Sequence, residues 1–177
     1  MFAVAAYAGL LAVEIFGLSV EEVDLARGVL SIRKTAWYGQ IQTAKSVGSE
    51  STIPIARNLA EMLRKVIGER QSGLLFVNRA DRPYTSSGKV VQKRLWPLCY
   101  ALKIPRAGFH AFRHMHATIL LETGATPKVT QRQLRHADSR VTLDHYAHLI
   151  DSSHREAVER AAAFLDRSGP KFERSVN

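Results

Sequence analysis

The sequence holds a single cysteine, Cys99. One thiol excludes an internal disulfide framework and any zinc site built on several cysteines, and it suits a reducing compartment. Lysine and arginine are missing from the first 26 positions, and Glu14 interrupts the apolar run 2–18. A secretory leader needs a basic start and small residues at a cleavage site. A membrane-spanning helix needs about 20 consecutive apolar residues. The run fits neither pattern and reads as a buried helical start in a cytoplasmic protein. Internal repeats and low-complexity segments are lacking as well. Acidic residues are scarce: 16 Asp and Glu face 25 Lys and Arg, for a formal net charge of +9.

What is present is ordinary globular composition, 46% hydrophobic and 23% charged, which excludes a disordered or fibrous chain. Its 177 residues suffice for one domain with a real core. The positive charge is concentrated. Twelve Lys and Arg lie in residues 79–140 against Asp81, Glu122 and Asp138, while charges elsewhere cancel. Such a stretch calls for an acidic partner.

Residues 2–18 are expected to form one or two helices broken near Gly9, buried on more than one side. Residues 29–33, after an Arg27-Gly28 turn, read as a strand, residues 36–42 as a second and residues 52–55 as a third. A hairpin-like turn over 45–49 joins the last two, giving a small three-stranded antiparallel sheet. The rest reads as helical, so the fold class is α+β, mainly α. Leu59, Met62, Leu63, Val66 and Ile67 make an amphipathic stripe after an Asn58 cap. Ser86 or Ser87 caps a helix running to Leu102, kinked by Pro97 at a cost of about 3 kcal/mol if nothing compensates. A helix over 111–123 stops at Gly124, and Thr126-Pro127 opens another reaching about His136. Ser139 caps a helix carrying Tyr146, and residues 155–167 form the last. Its Val158, Ala161, Ala162 and Leu165 pack either on the chain's own core or on a neighbouring protomer.

The chemistry lies in residues 108–149. His110 and Arg113, three apart, share a helix face, and His136 and Tyr146 follow. Together they suit a phosphate: arginine offers a planar fork of donors, histidine a proton donor or acceptor, and tyrosine a hydroxyl nucleophile. Taken singly, a tyrosine or histidine at such spacing is more often a packing or structural residue than a functional one. His110, His114 and His116 come without an H-E-x-x-H pattern or partner cysteines, so the sequence offers no metal site.

The ordered string is what discriminates. His110-Ala111-Phe112-Arg113-His114, then 117–124 as A-T-I-L-L-E-T-G, then Leu134-Arg135-His136, then Thr142 through Tyr146 to His148, resembles the catalytic domain of the tyrosine recombinases, the phage-integrase family. Lys45, Ser49 and Ile53-Pro54 match that family's hairpin. The resemblance implies site-specific DNA recombination or integration of a mobile element. Tyr146 would attack a phosphodiester of double-stranded DNA to form a 3′-phosphotyrosine, and Lys45 would protonate the leaving 5′ oxygen. Arg113 and His136 would hold the non-bridging oxygens, and His110 would manage protons. No metal or other cofactor is implied, because cationic side chains supply the electrostatic stabilisation. Lys89, Lys93, Arg94, Arg132 and Arg135 are the expected DNA contacts, and a homo-oligomer on DNA is the expected assembly.

Departures from the pattern are as informative. The family's first catalytic arginine belongs in a T-G-x-R-x-x-E stretch. Here Gly9 and Glu14 match while Leu11 occupies the arginine position. Loss of one preorganised donor typically costs about 3–4 kcal/mol, or roughly 10²–10³ in rate. Arg135 replaces the usual glycine before His136, and Ser51 stands where an arginine is common. The expected organisation is a catalytic domain over 1–168, short of part of its first helix and of a separate N-terminal clamp domain, with a flexible tail over 169–177. Two other readings stand beside it: a non-catalytic DNA-binding remnant of an integrase, and a type IB topoisomerase-like enzyme.

Overall fold

A computed structural model describes residues 1–43 and 51–135, together with 158, 159 and 163. Helix α1 (Phe2–Ala8) buries Val4, Ala5 and Ala8. It ends where Gly9 turns left-handed at φ 67° and its N–H bonds back to Ala5 O, a backbone conformation that glycine adopts without steric cost. Helix α2 (Ala12–Gly17) follows from Leu11. The break expected near Gly9 is therefore there. The apolar face of α1 is covered by the start of α6 (Phe109–Glu122): the Phe2 ring lies 5.4 Å from Phe109 and 6.0 Å from Phe112.

The three-stranded antiparallel sheet is present, with a membership the sequence did not reveal. Strands β1 (Val23–Asp24), β2 (Val29–Ile32) and β5 (Ser51–Pro54) lie in the order β1-β2-β5. Leu30 pairs with Val23 on one side and Ile53 on the other, and Leu30 and Ile53 point into the core. Residues 36–42, read as one strand, instead fold into a separate ribbon of β3 (Lys34–Trp37) and β4 (Gln40–Thr43). The cause is local. Tyr38 and Gly39 both have positive φ, 47° and 80°, the signature of a two-residue hairpin turn whose twist matches its strands.

Helix α3 (Arg57–Ile67) starts from Ala56 without a side-chain cap, so Asn58 is not its cap. Leu59, Ala60, Leu63 and Ile67 are buried, whereas Met62 and Val66 face solvent and narrow the expected stripe. Ser86 does cap the next helix, accepting from the Lys89 N–H. That helix runs as α4 (Ser87–Val90), a π-helical turn (Val91–Leu95) and α5 (Trp96–Ala101). The wide turn directly precedes Pro97. It absorbs the missing N–H and the ring's demand for space, which is how a proline is accommodated within a continuing helix.

Helix α6 ends at Glu122 with Thr123 as its C-cap, and Thr126 caps α7 (Pro127–Leu134) through the Val129 N–H. The turn over 45–49, the helix from Ser139 and the tail over 169–177 fall outside the described residues. Val158 is helical and 55% exposed, so it does not pack on this chain's core. Among the described residues no helix is long and apolar enough to cross a membrane.

Candidate functional site

Three chain segments meet at Arg113. The residue is only 8% exposed. One terminal nitrogen donates to Gly9 O at 2.6 Å, and the other donates to Leu134 O. Both acceptors lie at helix ends, where carbonyls have no intrahelical partner. Gly9 closes α1 and Leu134 is the last residue of α7, so one planar fork satisfies the ends of two helices from the second turn of a third. Glycine at position 9 is also a matter of space: a Cβ there would meet Leu134 Cδ2 at 2.5 Å and the His116 ring at 3.0 Å.

A second guanidinium stands beside the first. Arg135 caps α7 in the left-handed conformation, φ 56° and ψ 40°, which costs a residue with a Cβ on the order of 1 kcal/mol relative to glycine. Its side chain turns inward. Nη2 meets Glu14 Oε2 at 2.5 Å and Nη1 donates to Gln133 O at 3.2 Å. The same Glu14 oxygen accepts the Leu11 N–H at 2.7 Å, fixing the first turn of α2. Burial holds the Arg113 guanidinium below its ordinary pKa; the nearby Glu14 carboxylate opposes that shift and the Arg135 charge adds to it. The corner thus holds two guanidinium groups and one carboxylate.

His110 is exposed on the first turn of α6, one turn before Arg113. His136 follows Arg135 directly in sequence but, with Lys45 and Tyr146, lies outside the described residues. The structure therefore brings Arg113 and Arg135 together and sets His110 on the same helix as Arg113. Lys89, Lys93 and Arg94 line a groove of about 800 Å³. Arg79, Asn78 and Tyr84, not singled out as site residues from sequence, complete its wall. Arg132 is exposed on α7 and is not among the residues that line the groove. The role of Glu14 as an anchor across the chain was missed, although its match to the family's glutamate and its place as the sole charge in the first 18 residues both marked it.

The Phage integrase family profile matches residues 1–153. The chain belongs to the phage integrase family. Members it is similar to include the integrase of Staphylococcus phage L54a, 26% identical over 166 residues, which covers 83% of this chain and 46% of that one. The tyrosine recombinase XerA of Pyrococcus furiosus is 29% identical over 161 residues, covering 86% of this chain and 50% of the relative. Among solved members of this fold, the Tn1549 transposon integrase in complex with transposon right end DNA superposes with a TM-score of 0.74 at 23% identity, over 91% of this chain and 57% of that one. The crystal structure of XerA recombinase gives 0.67 at 22% identity, over 96% and 55%. The chain spans about half the length of the curated relatives it matches. The mainly helical α+β fold with small antiparallel sheets is the catalytic-domain fold of the family.

Proposed function

We propose that this chain breaks and rejoins double-stranded DNA as a tyrosine recombinase catalytic domain. The observation that carries the reading is the corner built on Arg113. It gathers the Gly9–Glu14 stretch, the start of α6 and the end of α7 around a fixed guanidinium, which is the kind of preorganised donor a developing phosphorane charge needs. Family membership supports the chemistry, and the basic groove supports the substrate class.

In this reading the Tyr146 hydroxyl attacks the phosphorus and passes its proton to His110. The 5′ oxygen leaves with a proton from Lys45, and a 3′-phosphotyrosine remains. Arg113 and His136 neutralise the non-bridging oxygens, with His110 as proton manager. A 5′ hydroxyl from another cut strand attacks the phosphotyrosine and releases Tyr146, so exchange requires a second protomer on the DNA. Lys89, Lys93 and Arg94, with Arg132 on α7, contact backbone phosphates. The second reading is a DNA-binding remnant without catalysis, favoured by Leu11 at the position where the family carries an arginine.

One assay separates them. A pool of nicked duplexes randomised around the nick is incubated with the protein and resolved on a denaturing gel. Covalent protein–DNA product that vanishes in Tyr146→Phe is the expected result. DNA binding without such product assigns the chain to the remnant reading.

A further inference from the structure

We propose that Arg135 supplies the cation that position 11 lacks, so that the phosphate site has two guanidinium groups with one of them delivered from the end of α7. The inference rests on the recombinase reading given above. Leu11 sits half-buried at the start of α2, its N–H on Glu14 Oε2. The Arg135 guanidinium arrives at that same oxygen from 121 residues away. The charge missing at position 11 is therefore present one carboxylate away from it. It stands close enough to Arg113 for the two charges to act on each other.

Two further observations argue that this is a working side chain and not a passing surface pair. The residue occupies a left-handed backbone position for which glycine is the unstrained choice. A strained position held by a charged side chain points to a role for that side chain. The guanidinium is also incompletely used. Nη1 and Nη2 each make one bond, and among the described residues Nε makes none, leaving donors for a non-bridging phosphate oxygen. Glu14 would fix the orientation of the fork, as a carboxylate does in a bidentate or shared pair. Arg135 is thus assigned as a catalytic residue that touches phosphate, with Glu14 as its positioning residue.

Arg135→Gly is the test, because glycine keeps the left-handed turn without strain. Thermal unfolding should show this variant folded with a lowered melting temperature, because relief of the left-handed strain offsets only part of the loss of the Glu14 ion pair. Tyr146-dependent covalent product should form roughly 10²–10³ more slowly. Binding to the duplex pool should lose about one from the slope of log K against log salt, as for one phosphate contact. Leu11→Arg placed in the Arg135→Gly background should recover at least about tenfold of the rate, since a donor of the same kind returns to the same carboxylate. If Arg135→Gly does not fold, Arg135→Asn, which tolerates the same backbone region, replaces it. A folded variant with unchanged rate and unchanged slope overturns the assignment. If the unaltered chain forms no covalent product, the catalytic reading fails, and the salt slope alone then decides whether Arg135 contacts phosphate. A chain that does not bind the pool overturns both.

Discussion

Gly9 shows how much one residue holds at this corner. Its left-handed φ ends α1, its carbonyl receives Arg113, and its missing Cβ leaves room for Leu134 and His116. Gly9→Ala should cost about 1–3 kcal/mol, combining a disfavoured backbone with overpacking. Urea unfolding measures that loss, which includes displacement of the Arg113 acceptor. Arg113 itself was legible in the sequence, since the string around it is ordered and specific. The Glu14–Arg135 pair was not: the partners are 121 positions apart, and no local pattern links a carboxylate in an apolar segment to a helix-ending arginine.

At the scale of elements, the α1–α6 contact carries a titratable group. His116 on α6 lies by the Ala6 backbone of α1, and its Nε2 is buried and unpartnered. Burial lowers its pKa below the ordinary 6.5, the Ala6 backbone opposes the shift, and the Arg113 charge adds to it. The unfolded chain then takes up a proton first as pH falls. The contribution is complete above pH 6.5 and is lost as pH falls toward the folded value. Urea midpoints should therefore drop on acidification from about pH 7.5 to about pH 5.5, and His116→Gln should flatten that drop. Elements were read from sequence where periodicity was strong, as in α3. The ribbon was missed because Trp37-Tyr38-Gly39 looks like alternation broken by one glycine, although two successive positive φ values reverse the chain there. The Pro97 kink was expected, and the π-helical turn that absorbs it was not, since widening by one residue leaves no compositional mark.

The whole molecule separates its charge from its core. Core residues run from Val4 through Phe109, spanning α1, α2, the three-stranded sheet, α3 and the inner face of the kinked helix at Val90, Val91, Leu95 and Cys99, while Lys89, Lys93 and Arg94 of that same helix line the groove and the excess cations continue to α7. The location of that charge was readable by counting. Its division between an open groove and an inward-turned Arg135 needed the fold. Joint replacement of Lys89, Lys93 and Arg94 by alanine should lower the salt slope of DNA binding by up to about three while leaving thermal stability nearly unchanged. Fluorescence anisotropy across a salt series measures it.

Arg113 joins Gly9 O to Leu134 O across 104 positions on one side and 21 on the other. During synthesis the cradle cannot close until α7 has emerged from the ribosome, long after α1 has. Chain growth therefore delivers the groove residues first and the fixed guanidinium last, and a nascent fragment ending before residue 134 leaves Arg113 without one of its two carbonyl acceptors.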